Sequence, residues 1–166
     1  MIPLSAMKNN TNDIRDLFSG LFGSRTVILG VGNPLRGDDG FGPAFIAELN
    51  GIPGVLCLDA GSAPENYLGK IIKEDPDNVL IVDAAHLEKS PGEYDILRKD
   101  EIIRSGFTTH DLSPVMFIEY LEERTRADII MLAVQPESLE MGAGMSAPVR
   151  RTLDDLVKTA RESQNA

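Results

Sequence analysis

The chain has 166 residues, 42% of them hydrophobic, and a formal net charge of −10. That length fits one domain of about 100–200 residues, and the apolar content is too high for a disordered chain. So acidic a chain gains nothing by displacing counterions from phosphates, which excludes a nucleic-acid partner. Cys57 is the one cysteine, so neither a disulfide framework nor a four-cysteine metal site can form within the chain. A reducing cytoplasm is the expected setting. The longest apolar runs, Val79–Val82 and Ile129–Val134, are far too short to span a bilayer. The first 25 residues lack a basic segment followed by an apolar one, so no signal peptide is expected.

In chain order, Asn12 or Asp13 can cap a short amphipathic helix bearing Ile14, Leu17, Phe18 and Leu21. Residues 1–24 read as an N-terminal extension and 25–166 as a single domain. Thr26–Gly30 has the composition of a buried strand, and Gly42–Leu49 that of a helix. Val55–Leu58 forms a second strand, followed by a helix from Pro64 to Lys73. Asn78–Val82 is a third strand. Glu93–Leu97 alternates polar and apolar residues, as an edge strand does. A helix follows from Thr109 to Glu123, with Thr109 as its cap. Ala127–Val134 is a long buried strand, and the last helix starts near Ala147. Strands apolar on both faces and alternating with helices predict a mostly parallel sheet covered on both sides, a three-layer α/β/α sandwich. In such sheets ligands bind beyond the carboxyl ends of the strands.

Three apolar runs lead into acids at that edge: the first into Asp38-Asp39, the second into Asp59, the third into Asp83. One such acid is commonly a cap or turn residue; three on one edge suggest a site. Neighbouring carboxylates need a proton or a cation between them. The chain has two histidines, His86 three residues beyond Asp83 and His110 near a helix start, and spacing does not choose between them. Two carboxylates and an imidazole suit zinc, nickel, iron or manganese and leave positions for substrate or water. Without a sulfur ligand such a site holds metal weakly unless a partner adds donors.

Other chemistries fit less well. Gly30-x-Gly32 after a strand is part of a dinucleotide-binding turn, but Leu35 stands where the third glycine belongs. Asp59-Ala60-Gly61 approaches the D-[ST]-G of aspartic proteases without a second copy. No G-x-S-x-G elbow is present, and Cys57 lies within an apolar strand.

The stretch Gly30-Val31-Gly32-Asn33-Pro34-Leu35-Arg36-Gly37-Asp38-Asp39-Gly40-Phe41-Gly42 resembles the G-x-G-N-x-L-x-x-D-[DE]-x-x-G signature of the nickel–iron hydrogenase maturation proteases. Asp59-Ala60-Gly61-Ser62-Ala63-Pro64-Glu65-Asn66 is similar to that family's D-G-G-[ST]-A segment, and Leu80–Ala84 to its third-strand acid. Ser90-Pro91-Gly92-Glu93, Thr109-His110 and Val134-Gln135-Pro136-Glu137 match later landmarks. The resemblance spans roughly residues 25–160 and leans toward the branch serving energy-converting or formate-linked hydrogenases.

The resemblance implies a twisted, mostly parallel five-stranded sheet between helices. It implies an endopeptidase that removes the C-terminal extension of the hydrogenase large-subunit precursor after nickel insertion. Asp39, Asp83 and His110 are the implied metal contacts, so the family selects His110 over His86. Asp39 or Asp83 could serve instead as general base, and Asp59 could orient a ligand or bind substrate. Nickel is supplied by the precursor, and no organic cofactor is implied. The precursor is the expected partner of a monomeric cytoplasmic protein that neither inserts in a membrane nor binds nucleic acid. A non-cleaving nickel-precursor checkpoint and a generic metal-dependent hydrolase are the competing readings.

Overall fold

The computed structural model describes residues 11–106 and 113–164. Five strands form one sheet: β1 (Thr26–Val31), β2 (Val55–Gly61), β3 (Asn78–Ala84), β4 (Tyr94–Leu97) and β5 (Asp128–Val134). Their order is β2-β1-β3-β5-β4. All neighbours are parallel except β4, which lies antiparallel on β5 at one edge, Tyr94 opposite Val134. At that edge Tyr94 and Asp95 are half-buried, and Ile96 and Leu97 are buried, one on each face of the sheet.

Helices cover both faces. One carries α1 (Thr11–Phe22), α2 (Phe41–Leu49) and α6 (Ala147–Gln164); the other carries α3 (Leu68–Glu74), α4 (Lys99–Ser105) and α5 (Pro114–Arg124). Strand alternation divides the core accordingly. Leu80, Val82 and Ala84 of β3 pack toward α1, α2 and α6, while Val79 and Ile81 pack toward α3 and α5. The expected α/β/α sandwich is therefore the observed architecture.

The α1 helix is built into this core. Ile14, Leu17, Phe18 and Leu21 are buried, and Phe18 stacks on Phe45 of α2 with centroids 6.3 Å apart. Burying each such side chain stabilises the fold by about 1.5–3 kcal/mol. Asn12 and Asp13 lie within the first turn of α1 rather than capping it.

Other boundaries also shift. The region after β2 is a 3-10 turn, Pro64–Tyr67, leading into α3, rather than one continuous helix. The expected cap Thr109 lies outside the described residues. The observed cap of α5 is Ser113, whose hydroxyl accepts from the Met116 amide at 3.4 Å, with Pro114 at the first helical position. The α4 helix was not anticipated: it has seven residues, of which only Ile102 is buried. No helix among the described residues is long and apolar enough to cross a membrane.

Candidate active site

The chain passes from β1 to β2 on one side and returns to β3 on the other, so the order reverses between β1 and β3. The carboxyl ends of the two strands at such a reversal flank a crevice where α/β proteins bind ligands. Asp83 lies at this end of β3, one residue beyond Val82, which pairs with Gly30 of β1. The Asp38-Asp39 pair follows β1 in a 3-10 turn, Gly37–Gly40.

The two adjacent aspartates are both fully buried and do different things. Asp38 turns toward the loop after β5. Its Oδ2 accepts from the Glu137 amide (2.8 Å), the Ser138 amide (3.2 Å) and the Ser146 hydroxyl (2.8 Å), and its Oδ1 accepts from the Ser146 amide (2.7 Å). The Asp38 amide in turn donates to the Ser138 carbonyl at 2.9 Å. A buried carboxylate so fully engaged is a structural tie. Asp39 turns back on the end of β1. Its Oδ2 accepts from the Asn33 amide at 2.8 Å, whereas its Oδ1 is buried and accepts no hydrogen bond among the described residues.

Glycine makes that turn possible. Gly32 has φ of 138°, and a Cβ there would lie 1.9 Å from the Asp39 carbonyl oxygen. The space a nucleotide pyrophosphate would need beside this glycine is filled by the chain itself, and Leu35 stands exposed where a third glycine would be. Gly42 supports the turn from below, packing against the carbonyls of Val31 and Val82; a Cβ there would approach them at 2.3 and 2.5 Å.

Asp83 is 3% exposed. It borders a small apolar cavity with Val31, Ile81, Met131, Pro64 and the first residues of α5, Pro114 and Phe117. Val31 immediately precedes Gly32, so the cavity adjoins the turn that holds Asp39. His110 lies outside the described residues, as does the rest of segment 107–112, which connects Gly106 to Ser113. Among the described residues no group of three or more His, Cys, Asp or Glu side chains is placed to hold a metal ion.

Asp59 and His86 stand apart. The apolar run of the second strand puts Asp59 at its end, but β2 continues to Gly61, so Asp59 lies within it. It pairs with Gly30 in register and is exposed, and its Oδ1 accepts from the Gly61 amide at 3.1 Å. Its neighbours Leu58 and Ala60 pack toward α3 and α5, so Asp59 faces the opposite side of the sheet from Asp83. His86 is exposed and lines a separate groove with Glu88, Asp95 and Gly106. Cys57 is half-buried, and desolvation pushes its thiol pKa up, with Arg161 partly offsetting this. An inert core thiol fits better than a nucleophile.

Two organising residues escaped the sequence reading. One is Asp38 in its role as tie. The other is Gln135, buried after β5, whose Oε1 accepts from the Leu87 amide at 2.6 Å and whose Nε2 donates to the Pro136 carbonyl at 3.1 Å. It anchors the loop beyond Asp83. A glutamine closing a buried strand was the available signal.

Comparison with known proteins agrees with this architecture. The family model described as hydrogenase maturation protease matches residues 46–163. The chain is 34% identical over 149 residues to a putative hydrogenase maturation protease of Methanocaldococcus jannaschii, covering 83% of this chain and 87% of that one. It is 35% identical over 136 residues to the hydrogenase 3 maturation protease of Escherichia coli K12, with 80% and 84% covered. A crystal structure of a [NiFe] hydrogenase maturation protease from Thermococcus kodakarensis superposes with a TM-score of 0.79 at 33% identity, covering 90% of this chain and 99% of that one. The family model covers well over half of the chain and these relatives most of it, and the chain belongs to the hydrogenase maturation protease family.

Proposed function

We propose that this endopeptidase removes the C-terminal extension of a nickel–iron hydrogenase large-subunit precursor after nickel insertion, using nickel in the precursor as its recognition element. The observation that carries this reading is Asp39: a fully buried carboxylate in the turn after β1, with one oxygen committed to the Asn33 amide and the other without a hydrogen bond among the described residues. A buried carboxylate oxygen in that state favours a cation. Asp83, buried at the carboxyl end of β3 beside a small apolar cavity, is the proposed second carboxylate. His110 is the proposed nitrogen donor; it precedes by four residues Pro114, which borders the Asp83 cavity.

Two oxygens and one nitrogen make an incomplete donor set for nickel, which fits an ion brought by the substrate with its own ligands. Precursor-borne nickel would polarise the scissile carbonyl or acidify a bound water. The protein's part is to hold the peptide in place, and one of the two aspartates accepts the proton from the attacking water. Water adds across the C–N bond, leaving a new carboxylate and a free amine on the released peptide.

The test is incubation of nickel-loaded precursor with the wild type and with Asp39→Ala, Asp83→Ala and His110→Ala. The wild type is expected to shorten the precursor, and each variant to cut it about 100-fold more slowly or worse. Variants that fold and cleave at the wild-type rate would remove these residues from the mechanism.

A further inference from the structure

Three side chains at the carboxyl edge of the sheet serve neither the core nor the carboxylate site. Leu35 is 67% exposed and Met141 is 59% exposed. They are two of the five large apolar side chains exposed among the described residues; the others, Ile103, Met116 and Tyr120, are on α4 and α5. Both loops are firmly held. The Leu35 amide donates to Asn33 Oδ1 at 2.9 Å, and the Leu35 carbonyl accepts from the Gly142 amide at 2.8 Å. That second bond brings the backbone at Met141 beside Leu35, and Asp38 secures the same loop at both ends, at Glu137–Ser138 and at Ser146. Rigidly presented apolar side chains bind at lower entropic cost than mobile ones.

Arg36 lies between Leu35 and the aspartate turn. Its Nε is buried without a hydrogen-bond partner, and its guanidinium forms no ion pair among the described residues. In a chain with 26 Asp and Glu against 16 Lys and Arg, an arginine three residues from Asp39 keeps a cationic fork that no described carboxylate engages.

We propose that Leu35, Arg36 and Met141 form the lip that seats the precursor's polypeptide next to the bond to be cut. An extended segment of the precursor lays an apolar side chain across Leu35 and Met141, and one of its backbone carbonyls accepts from the Arg36 guanidinium. This rests on the protease reading above. The lip is continuous with the carboxylate site, because the loop that bears Leu35 and Arg36 also bears Asp39.

The experiment is steady-state cleavage of the nickel-loaded precursor by the wild type, the double variant Leu35→Ser/Met141→Ser, Arg36→Gln, and Ile103→Ser as a control outside the lip. All four substitutions are at side chains outside the core, and a thermal melt checks that folding is retained. Binding shared by ground and transition states appears in KM. The double variant and Arg36→Gln should each raise KM about tenfold, as loss of an interface anchor does, while kcat at saturation and the control stay near wild type. An unchanged KM in both lip variants overturns the proposal. If the wild type itself leaves the precursor intact, the protease reading fails, and equilibrium binding of uncut precursor decides the lip: about tenfold weaker binding by the variants supports it, and equal affinity overturns it.

Discussion

Asp38 and Ser146, 108 residues apart, are joined twice: the Ser146 amide donates to Asp38 Oδ1 at 2.7 Å and its hydroxyl to Oδ2 at 2.8 Å. With the Glu137 and Ser138 amides on the same carboxylate, this contact closes the turn after β1 onto the loop after β5. The neighbouring Asp39 is thereby presented from a braced backbone, which makes the fidelity of the site depend on a residue that need not touch substrate.

Replacing Asp38 should accordingly cost stability. Every polar partner of its carboxylate is a donor, so the amide of Asp38→Asn would set a donor against a donor in either orientation. Loss of about 2–4 kcal/mol is expected for Asp38→Asn and about 1 kcal/mol for Ser146→Ala, because a charged acceptor is worth more than one hydroxyl bond. Urea unfolding monitored by circular dichroism measures both. Equal stabilities for Asp38→Asn and wild type would show that the tie is dispensable.

Gly42 should tolerate no side chain. A Cβ there meets three backbone atoms, the Val31 and Val82 carbonyl oxygens and the Val31 amide nitrogen at 2.6 Å, none of which can rotate away. Gly42→Ala should lose about 3 kcal/mol or more, the upper end of overpacking penalties. Gly69→Ala, where nothing lies within 4 Å of the added methyl, should be neutral or slightly stabilising in the same helix-favouring context. The comparison of the two melting temperatures checks the close packing of α2 on β1 and β3.

The broad architecture was legible because β1, β3 and β5 are apolar on both faces and separated by helical patterns, which leaves few alternatives to a covered parallel sheet. The division of labour within Asp38-Asp39 was not legible. Two adjacent acids look alike in a sequence, and Asp38's partners are mainly backbone amides about one hundred residues away, which carry no residue signature. The face of Asp59 was hidden for a related reason: β2 runs three residues past Leu58, with a register shift where Gly30 and Val31 meet it, so an apparent strand end became an interior position on the other face. The α4 helix buries only Ile102, too little to print a helical period.

Cys57 should behave as a core residue. Burial raises its thiol pKa, so the thiolate forms only at higher pH than for a free cysteine and alkylation at neutral pH is slow. Cys57→Ser is expected to cleave precursor at the wild-type rate, and iodoacetamide at pH 7 should modify the folded protein about tenfold more slowly than the denatured one. Rapid modification coupled to loss of activity would reopen a thiol mechanism.

The most direct test of the central claim is the intact mass of a cognate hydrogenase large-subunit precursor after incubation with this protein, once nickel-loaded and once nickel-free. A single C-terminal mass loss is expected from the loaded precursor and none from the nickel-free form. Identical cleavage of both would contradict the use of substrate nickel as the recognition element, and an uncut loaded precursor would contradict the peptidase assignment itself.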